Sequence, residues 1–102
     1  MRIIAKSTLV KFWEIPGHDD AKSALESWHD MVLKTSWKTP QEVKAQIRNA
    51  SICGSNRVVF NIGGNRYRLV VEMQYRAGIA WVKFIGTHQR YDEINVETVN
   101  EY

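Results

Sequence analysis

Three β-rich runs in succession, residues 57–62, 66–75 and 79–86, constrain this chain more than any other feature. Gly63-Gly64-Asn65 separates the first two runs, and Arg76-Ala77-Gly78 forms a second turn before the third. Glycine accepts positive φ without steric cost, which is what a tight hairpin requires. The third run leads directly into a polar cluster, Thr87-His88-Gln89-Arg90-Tyr91-Asp92. A three-stranded sheet with a chemically rich exit is therefore expected over 57–92.

Charge is distributed unevenly around that sheet. Residues 57–92 hold six basic side chains (Arg57, Arg66, Arg68, Arg76, Lys83, Arg90) against two acids, Glu72 and Asp92, a local balance of +4. The remaining residues sum to −1. Sorting the strands by alternation places Tyr67, Leu69, Val71, Met73 and Tyr75 on one face, with Val58, Phe60, Ile62 and with Ala80, Val82, Phe84. The opposite face is expected to present Arg57, Asn61, Arg66, Arg68, Trp81 and Lys83. Such an array either keeps an antiparallel sheet soluble or forms an anion-binding groove, and the excess of cations favours the groove, with nucleic acid as the first partner.

The N-terminal half reads as helical. Residues 2–4 can form a short strand, and Leu9, Phe12 and Trp13 lie at helical spacing within 5–14 before Pro16-Gly17 stops the helix. Ala21, Ala24, Leu25, Trp28, Met31 and Val32 trace one buried helical stripe, for which Asp19 or Asp20 can cap the start. Thr39-Pro40-Gln41-Glu42 is a capping box with proline at the first helical position, and Val43 and Ile47 should be buried behind it. Residues 49–56 are rich in turn formers and read as a loop into the sheet.

Composition narrows the class. The 102 residues suit one domain spanning 1–102, and 44% hydrophobic with 25% charged residues is ordinary for a globular chain. No apolar run approaches the roughly 20 residues of a membrane helix, and no signal peptide is recognisable. The lone Cys53 cannot make an internal disulfide, which fits a cytoplasmic setting. His18, His29 and His88 show no metal-ligand spacing, so neither a metal nor another cofactor is expected. There is no P-loop, dinucleotide fingerprint or nucleophile elbow.

V-F-N-I-G-G-N-R-Y-R-L-V-V, the third strand, and T-H-x-x-Y-D, together with the W-x-x-M helix and T-P-x-E before the sheet, resemble the HigB toxins of the RelE-like mRNA interferase superfamily. The resemblance spans nearly the whole chain. It implies an α+β fold in which two to three N-terminal helices pack on a small, mostly antiparallel sheet. It also implies a type II toxin that cleaves translated mRNA, usually on the ribosome, and is neutralised by a HigA-type helix-turn-helix antitoxin. Residue by residue, the family's functional positions correspond to Arg68, His88 and Tyr91, with Arg66 and Lys83 as supporting cations. Arg57, Asn61 and Arg90 complete the expected RNA-binding set.

The chemistry is consistent with those residue types. Metal-free RNA cleavage needs activation of a 2′-hydroxyl, stabilisation of charge at phosphorus and protonation of the leaving 5′-oxygen. Histidine, with an unperturbed pKa of about 6.5, makes His88 a candidate general acid or base. Arg68 offers a bidentate fork for the phosphate. Tyr91 can stack on an unpaired base or donate a proton, and Asp92 can orient an imidazole. Two other functions compete: a non-catalytic RNA- or ribosome-binding module, and a protein–protein adaptor with a basic sheet. Binding needs the cations and aromatics but no proton carrier, so His88 beside Tyr91 favours cleavage.

Overall fold

The alternating apolar runs form the centre of a sheet, and the helical stripes pack across one of its faces. The computed structural model describes residues 1–101. Along the chain come β1 (Arg2–Ile4), α1 (Lys6–Trp13), a 3₁₀ turn (Asp19–Ala21), α2 (Lys22–Leu33) and α3 (Pro40–Gln46). They are followed by β2 (Ser51–Ile52), β3 (Arg57–Ile62), β4 (Tyr67–Gln74), β5 (Ile79–Thr87) and α4 (His88–Tyr91). The sheet order is β1-β5-β4-β3-β2. All neighbours run antiparallel except β1, which lies parallel to β5. The fold is thus α+β with a five-stranded mixed sheet. Three helices precede the main hairpins, and the fourth, α4, lies in the segment that the sequence marks only as polar.

Local chemistry explains most of the boundaries. Thr39 caps α3, its hydroxyl accepting from the Glu42 N–H at 3.3 Å, while the Glu42 carboxylate accepts from the Lys38 N–H at 3.1 Å. The expected cap of α2 by Asp19 or Asp20 does not form: no side chain caps the 3₁₀ turn or the helix it feeds. Asp20 instead accepts from the Tyr67 hydroxyl and pairs with Arg66. The expected loop at 49–56 holds the two-residue strand β2 and a tight turn in which Ser55 and Asn56 both have positive φ, 58° and 59°. The Arg57 N–H donates to the Gly54 carbonyl at 3.2 Å across that turn, as a twist-matched hairpin requires.

On the helix-covered face, Leu9, Phe12, Leu25, Trp28 and Val32 bury against Val58, Phe60, Leu69, Val71, Met73 and Val82. Phe84 departs from the expected alternation. Val71 pairs with Val82, but Val70 pairs with Phe84, so Lys83 is an extra residue on β5. This β-bulge transfers Phe84 to the second face. There it joins Val59, Val70 and Val99 in a separate apolar cluster.

Val99 belongs to a C-terminal segment, 95–101, that crosses the second face. The Arg57 guanidinium donates to the Val96 and Val99 carbonyls at 3.2 and 2.7 Å, and the Glu101 N–H donates to the Lys83 carbonyl at 2.7 Å. None of the described helices is long and apolar enough to cross a membrane.

Candidate active site

β4 and β5 build the site because their register places Arg68 opposite Gly86 and Tyr67 opposite Thr87, at the point where β5 ends. On the other side of β4, Asn61 of β3 stands opposite Arg68. The Thr87 hydroxyl then accepts from the Arg90 N–H at 3.2 Å, which starts α4 immediately. The His88 N–H donates to the Arg66 carbonyl at 3.2 Å and fixes the first turn of α4 to the start of β4.

This turn brings Tyr91 back over the second sheet face, where its ring packs against the Val59–Val70–Phe84 cluster. The Arg68 guanidinium carbon lies 5.9 Å from the Tyr91 ring centroid. One Arg68 Nη donates to the Asn65 and Tyr67 carbonyls at 3.2 and 3.3 Å, which aims the side chain. Among the described residues no carboxylate pairs with Arg68. His88 is exposed and its Nδ1 lies 3.4 Å from the Asp92 carboxylate, one helical turn on. Arg68 and Tyr91 therefore share one corner of the molecule, and His88 opens the short helix that carries Tyr91.

Three of the expected cations stand elsewhere. Arg57 and Lys83 are each 6% exposed, so the solvent-facing array expected of this sheet face does not form. Arg57 anchors the C-terminal segment and lies 3.7 Å from Glu72. The Lys83 ammonium donates to Asn100 at 3.0 Å and sits 3.8 Å from the Trp81 ring centroid. Burial lowers the Lys83 pKa, with the neighbouring Glu72 opposing the shift and Arg57 adding to it. Arg66 lies outside β4 in the turn and pairs with Asp20 at 2.8 Å, on the helix side of the sheet. Arg90 is exposed but forms a two-pronged pair with Glu101, at 2.9 and 3.0 Å. Pairs this exposed contribute little to stability, so Arg90 can exchange Glu101 for another anion at small cost.

Burial pushes the Tyr91 phenol above its ordinary value of 10, Cys53 and Asp92 add to the shift, and Arg68 opposes it. The phenol is therefore protonated at neutral pH and available as a hydrogen-bond donor. Burial also raises Tyr67, where the Asp20 contact acts in the same direction. Raised folded-state values mean stability that is complete below pH 10 and lost as pH rises through the shifted pKa values. Urea unfolding at pH 8, 10 and 11 should show this decline, and Tyr91→Phe should make it shallower without altering stability at pH 8.

Gly86 is a site residue that sequence reasoning missed. A Cβ there would lie 2.5 Å from Phe84 Cζ, so the ring occupies the space that any other side chain would need. Gly86→Ala should destabilise the fold by about 1–3 kcal/mol and shift the surface on which Tyr91 rests. Chemical denaturation measures the first effect, and the near-ultraviolet dichroism of the aromatic rings reports the second. Only a glycine two residues after a bulky aromatic hinted at this, and that pattern has no meaning without the bulge. Among the described residues no three His, Cys, Asp or Glu side chains converge as a metal site.

The profile of a family described as the HigB toxins, the RelE-like toxic component of a toxin–antitoxin system, matches residues 21–94, well over half of the chain. The chain belongs to the HigB toxin family. No curated protein gives a significant match. As a HigB toxin the protein acts within a toxin–antitoxin system and has an antitoxin as its partner. The matched span contains Arg68, His88, Tyr91 and Asp92. Asp20, which holds Arg66, and the segment 95–101, which covers Arg57 and Lys83, lie outside it.

Proposed function

We propose that this toxin is an mRNA endoribonuclease that cleaves translated transcripts on the ribosome without a metal, acts in the cytoplasm and is restrained by a HigA-type helix-turn-helix antitoxin. The observation that carries this reading is the corner where Arg68 stands beside Tyr91, with His88 on the same short helix. Among the described residues Arg68 meets no carboxylate, so the guanidinium nitrogens not spent on the Asn65 and Tyr67 carbonyls are open to the non-bridging oxygens of a phosphate as negative charge develops.

His88 takes the proton of the attacking 2′-hydroxyl, with Asp92 beside it to orient the imidazole and balance its positive charge. Attack forms the P–O2′ bond of a 2′,3′-cyclic phosphate and breaks the P–O5′ bond. The 5′-oxygen leaves with the proton of the neutral Tyr91 phenol, and the phenolate regains a proton from solvent as the His88 imidazolium releases its own to solvent. The aromatic face of Tyr91 also supports an unpaired base, as single-stranded RNA requires. Asn61 and Arg90 border the corner and contact the strand on either side. Arg57 and Lys83 serve the fold beneath it instead of touching RNA.

Mapping mRNA 5′ ends after brief induction tests this reading. New ends inside coding sequences, phased with the reading frame and accompanied by growth arrest, are expected. Steep salt-dependent RNA binding with every transcript intact would instead assign the protein to non-catalytic binding.

A further inference from the structure

Between α2 and the segment leading from α3 to β2 lies an open groove of about 540 Å³. Trp28 and Met31 of α2, Ile47, and Phe60 and Ile62 of β3 give it an apolar lining. Among the described residues Arg48 is the one charged side chain at the lining positions, with no carboxylate there. Arg48 is exposed, and the chain as a whole carries a formal charge of +3.

The groove borders an open stretch of strand edge. The β2–β3 ladder stops at the pair Ser51 and Val59. The Cys53 N–H donates to the Arg57 carbonyl at 2.9 Å, so the backbone polar groups of Arg57 face β2. The two-residue repeat of a strand turns Val59 and Asn61 the same way. Asn61 thus directs its N–H and C=O outward beyond the end of β2, where among the described residues no strand pairs with it. Asn61, Ile62 and Gly63 also line the groove, so the edge and the apolar lining form one surface.

We propose that this groove and the β3 edge at Asn61 are the docking site for an extended, acidic segment of the antitoxin. The segment adds a short strand beside β3, seats an apolar side chain among Trp28, Met31, Ile47 and Phe60, and sets a carboxylate against Arg48. An extended segment satisfies the outward main-chain groups, which a helix laid in the groove would leave unpaired. A single rim arginine, with no acid beside it among the described lining residues, favours an anionic partner. This surface lies on the helix side of β3, whereas Tyr91 packs on the opposite face of the sheet. The inference rests on the toxin–antitoxin identity of the chain and not on its proposed cleavage chemistry.

The test uses the protein encoded by the reading frame adjacent to the toxin's own, co-expressed with the full chain and purified as a complex. Amide hydrogen exchange at residues 61–63 should slow at least tenfold on complex formation. Arg48→Glu, at an exposed position, should raise the Kd at least tenfold while leaving the toxin's circular dichroism and melting unchanged. Met31→Glu should weaken binding further. Unchanged exchange at 61–63 in the complex, an Arg48→Glu Kd within twofold of the parent, or absence of any complex would each overturn the proposal. So would protection at 61–63 that grows with the concentration of the free toxin, because the occupant would then be a second copy. None of these outcomes depends on RNA cleavage, so the two proposals fail separately.

Discussion

Arg68→Ala should lower mRNA cleavage by about 100-fold or more and abolish growth arrest, because it removes the fork that meets charge developing on the phosphate. The guanidinium spends one nitrogen on the Asn65 and Tyr67 carbonyls and pairs with no carboxylate among the described residues. Its loss should therefore cost the fold only about 0.5–1.5 kcal/mol. Arg68→Lys keeps the charge but not the planar geometry and should recover only part of the activity. Counting new mRNA 5′ ends after induction, alongside chemical denaturation of each variant, separates the two effects. Wild-type cleavage by a folded Arg68→Ala protein would remove this corner from consideration as the active site.

Phe84→Ala should destabilise the protein by about 3–5 kcal/mol, the range for deleting a buried aromatic ring from a packed cluster. Phe84 is 1% exposed, and it joins Val59, Val70 and Val99 across the second sheet face. Its ring also fills the space above Gly86 and lies 5.9 Å from the Arg90 guanidinium. The lost volume sits between the C-terminal segment and the strands, so unfolding should begin with release of 95–101. Urea denaturation gives the magnitude, and faster amide exchange at Val99 and Glu101 than in the parent gives the location. A loss below about 1 kcal/mol would mean that the second cluster collapses around the void without cost.

The two clusters differ in how visible they were beforehand. Leu25, Trp28 and Val32 repeat at helical spacing, and Leu69, Val71 and Met73 repeat at strand spacing, so the first core is written in local periodicity. The second depends on one extra residue, Lys83, which reverses the facing of β5 after Val82. Nothing in Trp81-Val82-Lys83-Phe84 distinguishes a bulged strand from a regular one. Val96 and Val99 stand in a polar tail with no strong periodicity, and their partners lie some 40 residues earlier at Arg57 and Val59.

The same distinction applies to the cations. Counting charge showed that 57–92 is basic, but charge counting cannot tell a cation that meets solvent from one that holds a neighbouring segment. Arg57 satisfies two carbonyls of the C-terminal segment, Lys83 donates to Asn100, and Arg66 is drawn to Asp20. Arg68 remains at the open corner because Gly86, its cross-strand neighbour, has no side chain and Asn61 is short.

By itself the sequence determined the helix stripes, the capping box at Thr39–Glu42, the three central strands and the presence of Arg68, His88 and Tyr91 near the sheet's exit. These depend on interactions a few residues apart, or on side-chain periodicity, and both are local. The tertiary structure alone decided that β1 pairs parallel with β5, that Phe84 changes face, and that 95–101 covers Arg57 and Lys83. It also brought Arg68 to the Tyr91 ring. Those outcomes depend on register and on contacts between distant segments, where a shift of one residue reverses every facing and no local pattern records which register packs best.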